Sequence, residues 1–264
     1  MTLLYKGYAM KKIQTNNITL AYERIGEGTP LMLIHGYPLD HTIWNEVASL
    51  LENDFDLILP DLRGFGQSTT VETPYIMSDM ADNLAGLLDH LKIEKVALAG
   101  HSMGGYVALA FAKKYPQRVS GLGLVSSQAA ADSPEGKDRR YQTAADIAQK
   151  GVGIVADAMP PKLSADVRVQ VFARAVIEQQ NPLAVIGALK AMAEREDFMS
   201  YLSSATFPVT LIHGNEDVLI PIERAQEIQA VMPSARLVEL QDAGHMPMME
   251  FAKEVADGLK FLAG

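Results

Sequence analysis

Short apolar runs and amphipathic stretches alternate along the first half of the chain. Residues 12–15 and 18–25 are strand-like runs meeting at Thr15-Asn16-Asn17, which predicts an opening antiparallel hairpin. After the break at Gly26-Glu27-Gly28, residues 31–34 read as a buried strand. A loop His35-Gly36-Tyr37-Pro38 follows, then a helix through Trp44, Val47 and Leu50. Residues 55–59 predict a further strand, which ends in a Gly-punctuated loop at 60–68. Ile76, Met80, Leu84, Leu87, Leu88 and Leu91 then mark one face of a helix. Strand, helix and strand recur at 96–99, 103–115 and 119–125.

From residue 128 to 204 the alternation gives way to helical patterns without strands. Helices are predicted over 132–150, 164–180 and 182–195, separated by Gly151 to Gly153 and by Met159-Pro160-Pro161. A strand returns at 208–213, followed by a helix at 222–231 and a strand at 235–240. Met248, Phe251, Val255, Leu259 and Leu262 stripe a closing helix. The pattern predicts an α/β core over 10–127 and 205–264, with 128–204 inserted as a helical lid over an active site. Met10 precedes the first strand directly, so the first nine residues are expected to be an extension and are given no role.

Composition narrows the reading. With 264 residues, 48% of them hydrophobic, the chain has ample material for a core. A net charge of -9 and the lack of any dense Lys/Arg run argue against nucleic acid and anionic membrane as partners. There is no cysteine, hence no disulfide, thiolate nucleophile or Cys-type zinc site. That fits a reducing compartment. With no signal-peptide-like or membrane-spanning apolar run, the expected location is cytoplasmic.

The candidate chemistry centres on Gly100-His101-Ser102-Met103-Gly104-Gly105. A strand leads in and a helix leads out, so Ser102 sits on a strained corner where glycines make room, a nucleophile elbow. A neutral hydroxyl needs a base, and the base an orienting acid. The loops after the last two strands offer Asp217 and His245 at the same carboxyl edge of the sheet, in the chain order Ser, Asp, His. Glu216 and Asp242 compete for the acid role, and place in the motif favours Asp217. His101, His35 and His213 read as packing or anchoring residues. His41 and His90 show no acid partner, and Asp61 is expected to pair with Arg63. Backbone N–H groups of Met103 and Tyr37 are the candidates for an oxyanion hole, since Pro38 has none to give.

With these pieces the chain resembles the α/β-hydrolase superfamily from about Lys12 to Leu262. The resemblance rests on His35 to Pro38, Asp61 to Ser68, Gly100 to Gly105, His213 to Asp217 and Gly244-His245. It implies an eight-stranded, mostly parallel sheet with the second strand antiparallel and a helical lid after the sixth. Haloalkane dehalogenases and epoxide hydrolases carry Asp at the elbow, so Ser102 points to an acyl carbon. The branch resembled is that of small carboxylesterases, enol-lactonases and cofactor-free perhydrolases. The expected activity is hydrolysis of short to medium acyl esters, with no metal or organic cofactor and a small-molecule ester as partner. Lactonase or perhydrolase is the catalytic alternative, and a low-turnover ligand receptor the alternative of another class. Met246, Met159, Phe172 and Phe198 suggest an apolar acyl site, and no Arg or Lys can be assigned to a substrate carboxylate. Oligomeric state is not legible.

Overall fold

The computed structural model describes residues 9–72 and 74–263; residues 1–8, within the expected extension, lie outside them. The chain opens with β1 (Lys11–Thr15), β2 (Ile18–Ile25) and β3 (Thr29–Ile34), then α1 (Asn45–Leu51), β4 (Phe55–Pro60) and α2 (Met77–Leu91). Next come β5 (Val96–His101), α3 (Met103–Lys114) and β6 (Val119–Val125). Six helices follow without a strand: α4 (Pro134–Lys150), α5 (Gly153–Ala158), α6 (Pro160–Leu163), α7 (Val167–Glu178), α8 (Pro182–Ala193) and α9 (Met199–Leu202). The core resumes with β7 (Val209–Gly214), α10 (Glu223–Val231), β8 (Arg236–Leu240), α11 (Pro247–Glu250) and α12 (Ala252–Leu259).

The eight strands form one sheet in the order β1-β2-β4-β3-β5-β6-β7-β8. Only β2 runs against the others; β3 through β8 are parallel. Parallel strands covered by helices bury every side chain, and β4, β5 and β7 are buried along their whole length, whereas the edge strands β1 and β8 are each fully buried at a single position. Gly123 in β6 makes room for α12, because a Cβ there would lie 3.0 Å from a Leu259 methyl.

Several boundaries differ from the sequence pattern for local reasons. β5 runs two residues past the apolar stretch because Gly100 and His101 still pair with Leu124 and Val125. The N-cap side chains of Ser133, Asp166 and Asn181 start α4, α7 and α8, trimming the helices predicted from 132 and 164. Pro160, read as a separator, instead opens α6 at its first position, where a missing N–H costs nothing. The closing stripe is broken at Phe251, whose φ of -137° and ψ of 51° separate α11 from α12.

Candidate active site

Ser102 lies between β5 and α3 at φ 50° and ψ -114°, a conformation that costs an ordinary residue free energy and persists only where its surroundings enforce it. They do so here. A Cβ on Gly100 would lie 2.3 Å from the Gly104 backbone, and one on Gly104 would lie 2.3 Å from the Ile34 carbonyl oxygen. The Ser102 N–H donates to Val125 O at 3.0 Å, and its carbonyl accepts from the Ser127 hydroxyl at 2.8 Å. The elbow is thus clamped between β3 and β6. Ser102 and His245 line one cavity of about 440 Å3, together with Tyr37.

His245 is buried in the loop after β8, and its Nδ1 donates to Asp217 Oδ2 at 2.7 Å. Asp217, in the loop after β7, also accepts from the Leu219 and Ile220 N–H groups, both at 2.9 Å. Burial alone would raise its pKa. The His245 charge and hydrogen bonds from His213, His245 and Ile220 outweigh that and hold the carboxyl far below the usual range. Neither Glu216 nor Asp242 takes this place. His245 is also fixed by its backbone, its N–H donating to Leu163 O at 2.9 Å and its carbonyl accepting from His101 Nε2 at 2.8 Å. No Ser102 to His245 hydrogen bond is formed among the described residues; such contacts are commonly long until substrate closes them.

His101 is fully buried, and burial together with neighbouring His245 holds its pKa well below 6.5. Its Nε2 therefore carries the proton given to His245 O, leaving Nδ1 bare. A Cβ on Gly36 would lie 2.4 Å from that Nδ1, which explains the glycine ahead of Tyr37. On the same loop, the His35 Nδ1 donates to Gly36 O, and its Nε2 accepts from Leu62 N–H, both at 2.9 Å. The loop after β3 is thereby pinned to the loop after β4. The Met103 N–H, first in α3, has no carbonyl four residues back within the helix.

Two sequence readings are corrected beside this loop. His41 has acid partners after all: its Nδ1 lies 2.6 Å from Asp61 Oδ1, and its Nε2 lies 3.7 Å from Glu23 Oε1. Asp61 is not held by Arg63. Its side chain turns inward from the end of β4 and also accepts from the His41 and Gln67 N–H groups, while Arg63 reaches toward α2 and donates to Asn83 Oδ1 at 2.9 Å. Distance along the chain hid the first pair, since the partners are 20 residues apart.

The cavity wall also departs from expectation. Of the four residues suggested for an apolar acyl site, only Met159 lines it. Met246 is fully buried in the core, Phe172 packs against the core from the insertion, and Phe198 is buried beside the Lys113 ammonium. Phe172 lies on α7, while Met246 and Phe198 sit just ahead of α11 and α9, and all three serve packing rather than the cavity. Residues of α4 and α8, including Arg139, Arg140 and Met192, form the wall instead, with Asp132 just before α4 and Arg224 on α10. The one sequence signal for them was a pair of adjacent arginines in the first half of a polar insertion helix. Among the described residues, no group of three or more His, Cys, Asp or Glu is placed to hold a metal. No helix there is long and apolar enough to cross a membrane.

Sheet order, elbow and loop placement define a class, and comparison agrees: residues 29–252 match the family model described as alpha/beta hydrolase fold. The chain belongs to that family. It is 38% identical to a thermophilic esterase from Thermogutta terrifontis, solved with malate bound, with a TM-score of 0.91 over 96% of this chain and 97% of that one. It is 30% identical to Lipase 1 of Psychrobacter immobilis, over 88% of this chain and 76% of the lipase. The enol-lactonase of Burkholderia xenovorans shares the fold, with a TM-score of 0.89 at 24% identity over 96% of this chain and all (100%) of that one.

Proposed function

We propose that the protein is a serine hydrolase of carboxylic esters. One observation carries this reading: a backbone-strained Ser102 opens on the same cavity as His245, whose other ring nitrogen is bonded to a buried, ionised Asp217. Ser102 Oγ attacks the ester carbonyl carbon as His245 Nε2 takes the hydroxyl proton, and the oxyanion is held by the Tyr37 and Met103 N–H groups. Collapse breaks the bond to the alkoxy oxygen, which leaves with the proton from His245. Water then attacks the acyl-enzyme, giving its proton to His245, and the acid departs as Ser102 is restored. Asp217 fixes the ring so that Nε2 faces the serine, and stabilises the imidazolium. The insertion 128–204 acts as a lid, supplying the cavity wall opposite the elbow. A lactone is an internal ester within reach of the same chemistry. The similarity to the Thermogutta esterase supports ester cleavage, and the cavity volume suits short to medium acyl groups.

The test is hydrolysis of p-nitrophenyl acetate through hexanoate, together with labelling by a fluorophosphonate. Activity lost in Ser102→Ala, with the label mapped to Ser102, supports the reading. A wild type that neither cleaves the series nor takes the label removes it.

A further inference from the structure

The cavity wall contributed by the insertion is charged, and its charge is positive in a chain whose net charge is -9. Arg139, Arg140 and Arg224 line the cavity with a single carboxylate among them, Asp132, and Arg224 is itself paired with Glu227 at 2.9 Å, which leaves Arg139 and Arg140 to set the charge of the wall. Asp132 is already shared: it pairs with Arg140 and, at 2.7 Å, with Arg195, whose side chain is almost fully buried over the Tyr106 ring. Two guanidiniums on one carboxylate leave one positive charge uncompensated within the wall. Arg140 also has a donor to spare, since its Nη1 meets only the Met192 thioether at 3.4 Å, a weak acceptor. Arg139 is exposed, and its guanidinium makes no hydrogen bond or ion pair among the described residues.

A second observation points to a ligand. The Tyr37 hydroxyl, on a residue only 7% exposed that lines the same cavity, has no hydrogen-bond partner. A buried hydroxyl left unpaired costs about 1–3 kcal/mol, so its retention beside a cavity argues that something polar completes it. With a cation on one side and an unpaired O–H on the other, the completing group is an acceptor carrying negative charge.

We infer that the cavity is built for esters bearing a carboxylate a few bonds from the scissile carbonyl, that carboxylate docking between Arg140 and the Tyr37 hydroxyl, with Arg139 at the mouth. A monoanion matches the single uncompensated charge, and a guanidinium holds a carboxylate through paired N–H donors. The inference rests on the serine-hydrolase reading for the position of the ester, but not for the binding of the carboxylate. It gives the field a function too: positive walls on an acidic protein concentrate the anion at one opening.

The experiment compares pairs matched in carbon-chain length, monomethyl adipate with methyl hexanoate and monomethyl glutarate with methyl pentanoate, by methanol release. Wild type should prefer the carboxylate member by about tenfold or more in kcat/KM, chiefly through KM. The preference should shrink as salt rises from roughly 0.05 M to 0.5 M. Arg140→Gln should collapse the ratio of the two kcat/KM values toward one. Because that change also disturbs Asp132, Tyr37→Phe, which deletes only an unpaired hydroxyl, and the exposed Arg139→Gln should each lower the ratio independently. Equal or better use of the neutral esters by wild type overturns the carboxylate site and leaves the role of Ser102 standing. If neither ester is cleaved, calorimetry on Ser102→Ala decides the site: tighter binding of monomethyl adipate than of methyl hexanoate keeps it, while the hydrolase reading stands or falls by the p-nitrophenyl series and the label. Equal binding, or none, overturns the carboxylate site.

Discussion

Alkaline pH should loosen one buried joint of this molecule, and the size of the effect follows from His41. Its imidazole sits between Asp61 and Glu23, in the turn that follows the loop carrying Tyr37. Burial by itself would lower the pKa; hydrogen bonds to Asp61 and Glu23 and the charges of Asp61 and Asp40 outweigh it and lift the value from 6.5 to about 10. A folded-state pKa above the unfolded one means that the stabilisation is complete below about pH 6.5 and is lost as pH climbs toward 10. Roughly 3 to 4 pH units at ~1.4 kcal/mol each set a ceiling on the order of 5 kcal/mol, and a steepest slope of ~1.4 kcal/mol per pH unit. The Asp61 carboxyl, held below its usual pKa against burial by the His41 hydrogen bond and the His41 charge, acts in a different window. Its contribution is present above about pH 3.8 and is lost as pH falls through the lower folded value. The assay is urea unfolding from pH 6 to 10, followed by Trp44, the one tryptophan of the chain and fully buried. His41→Gln keeps a donor toward Asp61 but cannot titrate, so the difference between wild type and variant isolates the joint. Wild type should lose a few kcal/mol relative to the variant across that range. Parallel curves, with slopes equal within about 0.3 kcal/mol per pH unit, would refute the reasoning.

Other outcomes follow from single contacts. Asp217→Asn should lower kcat by about 10³ to 10⁴ with little change in KM, measured by steady-state kinetics, because an amide no longer holds His245 in the tautomer that accepts from Ser102. Gly104→Ala should cost roughly 1–3 kcal/mol in denaturant unfolding and abolish activity, since its Cβ would lie 2.3 Å from the Ile34 carbonyl and displace the elbow. Arg195→Met should cost about 3 kcal/mol by the same assay, because a buried guanidinium that also donates to Met192 O and Ala130 O is lost from Asp132.

Periodicity made the sheet, the flanking helices and the strandless insertion legible, because a parallel sheet writes itself as short apolar runs separated by amphipathic ones. The elbow was legible for a different reason: its glycines answer to contacts made within a few residues and to one neighbouring strand. What escaped was pairing at a distance. Nothing local couples His41 to Asp61, or Arg195 to Asp132 across 63 positions, and a polar helix such as α4 looks the same whether its arginines face solvent or a cavity. Three of the four apolar residues proposed for the acyl site, all but Met159, failed on the same ground. Phe172 follows the helical pattern of α7 and Phe198 precedes α9, but apolar character reports only that a side chain is buried, not what it is buried against.

The attachments of His245 explain how such an insertion can differ in sequence without dislodging the proposed base. Its N–H is held by a backbone carbonyl of α6, at Leu163, and its own carbonyl by the His101 ring beside the elbow. Glu250 reinforces the first attachment, accepting from the Ser164 hydroxyl on one oxygen and from the Gly244 N–H, at 3.0 Å, on the other. A backbone carbonyl survives substitution of its side chain, so the insertion can place new groups on the cavity wall while the loop bearing His245 keeps its height above the sheet. On the proposed reading, specificity and chemistry would fall to different atoms of the same segment: side chains of α4 and α8 face the cavity, and the main chain at the end of α6 holds the histidine. Changing Arg140 should therefore redirect which ester is accepted, whereas moving Leu163 O, by insertion or deletion in α6, should slow every ester alike.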